Sequence, residues 1–213
     1  MRKTKLLARS CLLLGFCGVI GFSSGSILNL WGDELSSPLR GVDLPLTEVA
    51  DAKVDSQGRV YVALMFYCRI QVYDRDGNFL FGVHIPTGGG DFQIAIDGSD
   101  QIKIAPRRER RILTMTRDGQ ILDSIDDPDT VQFQQLDNQS EGYVHPRTGD
   151  RVEVRGFPIC TVVKSSRGHP DVRISTSVLL YPIAGPLPAW LLIWGIPLGL
   201  HLRRKHKENT PKD

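Results

Sequence analysis

The chain writes nearly the same phrase twice. Asp55 to Leu80 and Asp97 to Leu122 are related by a shift of 42 residues without a gap. Under that shift Asp55 falls on Asp97, Ala63 on Ala105, Arg69-Ile70 on Arg111-Ile112, Arg75-Asp76-Gly77 on Arg117-Asp118-Gly119, and Leu80 on Leu122. Apolar positions keep step between these identities: Val54 with Ile96, Val60 with Ile102, Val62 with Ile104, Phe79 with Ile121. Self-similarity with a period of about 40 residues marks blade-like arrays, in which each unit buries its faces against its neighbours.

The grammar inside each unit is β. "RVYVA" and "RIQVYD" alternate with β-branched and aromatic residues, which suit a pleated, half-buried surface. "DRDGNFL" and "TRDGQIL" place Asp-Gly between two such runs, and Asp-Gly tolerates the positive φ of a tight hairpin turn. Each unit is therefore predicted to be a four-stranded antiparallel meander. Asp55, Asp76, Asp97 and Asp118 sit at its turns, where local hydrogen bonding explains them better than acid–base catalysis.

"VDSQGRVYVA", five residues, then "RIQVYDRDGNFL" resembles an NHL repeat, the blade of a β-propeller. The resemblance covers residues 52–83 and, with fewer identities, 94–125. It implies a propeller-like fold. It carries over no ligand site, because the polar loop usual after the second strand is replaced by "LMFYC" (Leu64 to Cys68) and "PRRER" (Pro106 to Arg110). A third unit, "SEGYVHPRTGDRVEVRG", is a faint echo. Closed propellers have at least about four blades, so two or three leave an open face. Chains that assemble, a cap built from 131–177, or a membrane region could cover it. The cap is preferred, with "RVEVRGF" and "PICTVVKSS" as strands and Pro146 to Asp150 as a turn.

Two stretches flank this domain. Ser10 to Gly32 and Val178 to Leu202 contain no Asp, Glu, Lys or Arg. Each exceeds the roughly 20 residues a helix needs to cross a bilayer. Basic residues lie outside both: Arg2, Lys3, Lys5 and Arg9 on one side, Arg203, Arg204, Lys205, Lys207 and Lys212 on the other. The positive-inside rule then places both termini in the cytoplasm. The expected fold is mostly β, an antiparallel blade-like meander domain between two transmembrane helices. Its parts are a cytoplasmic N-terminus (1–9), a transmembrane helix or uncleaved signal anchor (10–32), a linker (33–47), an extracytoplasmic NHL-like β domain (48–177), a Pro-rich transmembrane helix (178–202) and a basic cytoplasmic tail (203–213). A cleaved signal peptide is the alternative for the first segment and a re-entrant segment for the second.

No catalytic constellation stands out, and no cofactor-binding or metal-ligating residue is assigned. His84, His145 and His169 are scattered, without metal-ligand spacing. "TGGGD" (Thr87 to Asp91) lacks the Lys-Ser/Thr of a phosphate loop and reads as a connector. The candidate binding patch combines the basic loop Arg107, Arg108, Arg110 and Arg111 with the apolar loop Leu64, Met65, Phe66 and Tyr67. The apolar loop is either tucked into the domain or an exposed contact. Cys68 and Cys160 could form a disulfide stapling the cap to the first repeat; two buried free thiols are the alternative. Asn138-Gln139-Ser140 is a glycosylation acceptor pattern.

These features favour a membrane-anchored module that binds a protein partner, a surface or a second copy of itself, and has no catalysis of its own. The alternative is a subunit of a membrane enzyme, or a propeller-type metal-dependent lyase, which would need histidines and acids to converge. Residues 31–177 carry 17 Lys and Arg against 22 Asp and Glu, so nucleic acid is not the expected partner.

Overall fold

The computed structural model describes residues 10, 39–87, 91–109, 111–126, 143–156, 160–176, 196–201 and 204. The chain divides into two compact units, Met1–Ile27 with Ser177–Asp213, and Leu28–Thr176. The described strands all lie in the second unit.

The two copies of the repeated phrase form two four-stranded antiparallel sheets. The first runs β1 (Val49–Val54), β2 (Val60–Leu64), β3 (Arg69–Tyr73), β4 (Phe79–His84), and the second β5 (Phe92–Ile96), β6 (Ile102–Pro106), β7 (Arg111–Met115), β8 (Ile121–Asp126). Under the 42-residue shift β2, β3 and β4 map residue for residue onto β6, β7 and β8. Even the register irregularity recurs, between Val72 and Tyr73 in one sheet and Thr114 and Met115 in the other. Gly77 and Gly119 take the positive φ the turns demand, 88° and 80°. The turn before Gly77 is closed by Asp74, whose carboxylate accepts the backbone N–H of Asp76 at 2.9 Å and of Asn78 at 2.8 Å.

A third sheet, β9 (Arg151–Arg155), β10 (Thr161–Ser165) and β11 (Val172–Ile174), is built in the order β11-β10-β9. An antiparallel bridge from Val144 to Arg151 adds a short inner member beside β9. The faint third echo is thus a blade with an abbreviated inner strand.

The first sheet lies between the other two. Val60, Val62 and Leu64 of β2 pack with Val152, Val162 and Ile174 of the third sheet. Tyr61 and Ala63, on the opposite face, join Ile70, Val72, Ile94, Ile104 and Leu113. Burial on both faces explains why β2 and β3 are buried along their whole length. The third sheet covers the face of the first repeat that the second leaves open. Residues expected as a linker also enter the core: Leu44 and Leu46 are buried, and the Leu46 N–H donates to Thr176 Oγ1 at 2.9 Å.

Adjacent sheets meet where a turn glycine seats on an outer strand. A Cβ at Gly77 would stand 2.8 Å from Val172 Cγ1 of β11, and one at Gly119 2.6 Å from Val83 Cγ2 of β4.

The two transmembrane helices expected over 10–32 and 178–202 are not supported. Among the described residues no helix is long and apolar enough to cross a membrane. The described helical run in the second segment is 196–201, and the rest of both segments falls almost wholly outside the described residues. The second segment also carries Pro182, Pro186, Pro188 and Pro197, each without the N–H that a continuous helix requires. The integral-membrane placement, with cytoplasmic ends and an extracytoplasmic domain, is likewise not supported. Asn138-Gln139-Ser140 also lies outside the described residues.

Gly119→Ala should destabilise the domain by about 1–3 kcal/mol more than Gly149→Ala in urea titrations, through overpacking. Both glycines have positive φ, but a Cβ at Gly149 finds only an ordinary contact, 3.8 Å from Arg167 Nε. Equal losses would mean that the Gly119 seat is not a packed joint.

Candidate functional site

The turn between the two inner strands of each blade carries the same device. Asp55 Oδ1 accepts the N–H of Gln57 and of Arg59, both at 2.9 Å. Asp97 Oδ1 accepts Ser99 N–H at 2.8 Å and Gln101 N–H at 3.0 Å. In the third blade His145 takes that place. Its Nδ1 accepts the N–H of Arg147 at 3.3 Å and of Thr148 at 3.2 Å. An accepting Nδ1 leaves the proton of the neutral ring on Nε2.

The next position in the turn donates its N–H back to that first residue. Gly58 bonds to the Asp55 carbonyl at 3.0 Å, Asp100 to that of Asp97 at 3.0 Å, and Gly149 to that of His145 at 2.9 Å. All three have positive φ, 83°, 61° and 73°. Two are glycines; Asp100 adopts a left-handed conformation that costs a non-glycine residue about 1–2 kcal/mol.

What the Asp100 side chain does accounts for its presence. Its carboxylate accepts the Ser56 backbone N–H at 3.1 Å and the Ser56 hydroxyl, from the first blade. It pairs with the Arg117 guanidinium of its own blade, and its Oδ1 lies 3.7 Å from His145 Nε2 of the third. Burial pushes this carboxyl upward, but the Ser56 hydrogen bonds and the Arg117 charge outweigh it and hold it below the usual carboxylate range. One buried carboxylate thus bonds the inner turn of the second blade to that of the first and stands beside that of the third.

Further along the inner strands lies a second buried group. Lys53 Nζ and Asp51 Oδ1 are 2.8 Å apart, with side chains 0% and 1% exposed. Asp51 also accepts Ala52 N–H at 2.8 Å and, across the joint, Ile94 N–H at 3.3 Å. Lys53 Nζ stands 5.0 Å over the Tyr143 ring, and the buried Tyr143 hydroxyl has no hydrogen-bond partner among the described residues. Burial, with the charges of Asp100, Asp51 and Asp55, pushes that phenol up to about 12. Asp55 completes the set, taking the Arg59 guanidinium and the Tyr61 hydroxyl, each at 3.1 Å.

The chemistry of this cluster is mutual neutralisation. Asp51, Asp55 and Asp100 face Lys53, Arg59 and Arg117, and each carboxylate is engaged by donors of the chain itself. Among the described residues no group of three His, Cys, Asp or Glu side chains is placed to hold a metal ion.

The residues singled out from the sequence do not form one surface. Leu64 and Tyr67 are core, at 0% and 2% exposure, and Met65 and Phe66 are half-buried, with Phe66 set edge-on to Tyr67. The apolar loop is thus largely tucked into the domain, with Met65 and Phe66 part-exposed. Arg107 and Arg108 are exposed on the β6–β7 turn, Arg107 facing Asp91 at 3.7 Å. Arg110 lies outside the described residues. Arg111 is structural: its guanidinium donates to the Pro86 carbonyl at 2.7 Å. Its counterpart Arg69 donates to the Leu39 and Val42 carbonyls, both at 2.8 Å, and burial lowers its pKa to about 10. The repeated arginine thus clamps the backbone that enters each blade.

Cys68 and Cys160 are both buried thiols, so the disulfide weighed from the sequence is not formed. Each thiol has its own neighbour: Thr87 Oγ1 donates to Cys68 Sγ at 3.0 Å, and Cys160 Sγ donates to the Gly156 carbonyl at 3.3 Å.

No protein-family model matches the chain, and no curated protein matches its sequence. Among solved structures, selenomethionine-substituted virginiamycin B lyase from Staphylococcus aureus is similar at 14% identity and a TM-score of 0.33, covering 59% of this chain and 40% of that one. A streptogramin B lyase is similar at 12% identity and a TM-score of 0.36, over 65% and 43% of the two chains. A catalytically inactive virginiamycin B lyase from Staphylococcus aureus with quinupristin gives 15%, 0.34, 62% and 44% in the same order. The chain spans less than half the length of these structures. The propeller-like β fold rests on the three sheets themselves; membership of the NHL family in particular has no match behind it.

Burial raises the Asp51 carboxyl from 3.8 to about 6, against the opposing pull of Lys53. The folded state then binds this proton more tightly than the unfolded state does. The contribution is complete below about pH 4 and is lost as pH rises through about 6, amounting to at most about 3 kcal/mol. Subtracting the urea-derived stability curve of Asp51→Asn from that of the parent should leave this falling limb; a flat difference would contradict the burial assignment. For the cysteines, alkylation of unreduced, urea-unfolded protein should label Cys68 and Cys160 fully, and labelling that appears only after reductant would restore the disulfide.

Proposed function

We propose that the chain is a protein-binding β-repeat module without catalysis of its own. The observation that carries this reading is the outer strand of the second blade. All six residues of β8 are exposed, including Ile121 at 44%, Leu122 at 56% and Ile125 at 45%. The equivalent residues of β4 are better covered, because the Gly119 turn seats on Phe81 and Val83. An outer strand that turns apolar side chains to water and has no strand beyond it among the described residues is a docking feature. The inner polar cluster supports the same reading from the other side, since its acids are committed to holding blades together.

A photo-crosslinking residue placed at Leu122 should give protein adducts from native extract, while one placed at the exposed Arg155 of the third blade should not. Adducts of equal yield at both positions, or none at Leu122, would contradict a binding role for β8.

A further inference from the structure

The two copies of the repeat differ where the first meets the incoming chain. Tyr73 of β3 packs in the core shared with the third sheet, and Gln71 lies two residues before it on the same face. Under the 42-residue shift these become Leu113 and Met115, which are apolar core. Gln71 and Tyr73 are just as deeply buried, at 0% and 1% exposure. Polar groups at that depth need partners, and theirs lie on residues 43–46.

Gln71 grips both polar groups of one backbone residue. Its Oε1 accepts the Leu44 N–H at 2.7 Å, and its Nε2 donates to the Leu44 carbonyl at 3.0 Å. The Asp43 carboxylate accepts the Tyr73 hydroxyl at 2.9 Å and Gln71 Nε2 at 3.3 Å. Leu44 and Leu46 enter the core between the first and third sheets. The Leu46 carbonyl accepts the Cys160 N–H at 3.0 Å. Pro45, between the two leucines, has no N–H to satisfy and biases Leu44 toward an extended backbone. The groove is thus built to read an extended Asp-Leu-Pro-Leu segment.

The segment that fills it is an incomplete match. Thr47 Oγ1, just beyond it, and Nε of Arg69, which clamps the turn before it, are buried without a hydrogen-bond partner. Burial also pushes the Asp43 carboxyl upward, against the Tyr73 bond, the Arg69 charge and the Gln71 bond. Each of these costs free energy. Glu48, which leads from the segment into β1, adds a positive φ of 47°. Cost therefore gathers at this joint, and exchange is favoured there over exchange in the strand ladders.

We propose that the groove between the first and third sheets is a peptide-binding site: residues 43–46 fill it in cis, and an extended Asp-Leu-x-Leu segment of a partner protein replaces them. The site is separate from β8 and goes beyond the reading that rests on it. Gln71 supplies backbone recognition, Tyr73 and Gln71 select the acid, and the two leucine seats supply apolar burial.

The probe is a fluorescent peptide of sequence RGVDLPLT, residues 40–47. The tethered segment competes at high effective concentration, so the parent chain should bind it weakly in fluorescence anisotropy. Leu44→Ala loosens the segment and should tighten binding at least about tenfold, because apparent affinity follows the fraction of open groove. Adding Gln71→Leu, which matches the second blade, should abolish that binding while circular dichroism stays unchanged. A peptide with Ala in place of its Asp should bind at least about tenfold more weakly. No tightening on Leu44→Ala, or binding that survives Gln71→Leu, would overturn the proposal. So would loss of the sheet signal in Leu44→Ala, which would make the segment inseparable from the core. A dimer of the parent that Gln71→Leu dissolves would also overturn it, by giving the groove to a second copy. Adducts at Leu122 do not depend on this groove, so their persistence without peptide binding would remove this site alone.

Discussion

The first sheet is apolar on both faces, and one neighbour can cover only one of them. Val60, Val62 and Leu64 point one way from β2, Tyr61 and Ala63 the other. Each buried side chain of this size contributes roughly 1.5–3 kcal/mol when removed from water. A two-blade chain would forfeit half of that. The third sheet, last in sequence, therefore stands in space on the far side of the first, and the chain order 1-2-3 becomes the stacking order 3-1-2.

Returning the third sheet creates a second requirement, because three sets of inner turns converge at one end. Backbone groups and charges brought together there need partners. The answer is an exchange at one position of the repeat. Where Gly58 and Gly149 make the left-handed turn without strain, Asp100 makes it with some strain and supplies a carboxylate that bonds to the first blade and to its own and stands 3.7 Å from His145 of the third. Lys164 makes a comparable tie between the third sheet and the first, donating to the Gly58 carbonyl at 2.8 Å and the Arg75 carbonyl at 3.3 Å. Both ties use charged groups, whose hydrogen bonds are stronger than neutral ones.

The repeat was legible in the sequence because its signals are local. Strand alternation, Asp-Gly turns and the five-residue gap all act within one blade, and the structure keeps them at the expected residues. The inner cluster was not legible, because its members come from three different turns. His145 looked isolated until its turn, one residue longer than the others, placed it where Asp55 and Asp97 stand. Aligning "YVHPRTGDR" to "KVDSQGRV" with that insertion would have marked it. Asp100 could have been noticed as the acid that replaces Gly58 under the shift. The apolar flanks misled for a related reason: a charge-free window reports composition, and composition is shared by membrane spans and other apolar segments.

An array of three stacked sheets has two ends, and this chain treats them differently. On the outer side of the third sheet Arg151 and Arg155 both pair with Glu153, at 2.6 Å and 2.7 Å, and Arg173 is exposed beside them. That is the polar outer face a terminal repeat needs in order to stay in water. At the other end Ala95, Ala105 and Ile112 of the second sheet are already buried, while the whole of β8 is not. What this end offers among the described residues is therefore a strand edge. Asp123 and Asp126 keep that edge from pairing with a copy of itself in the register that sets Asp123 against Asp123, since like charges directly opposite each other repel.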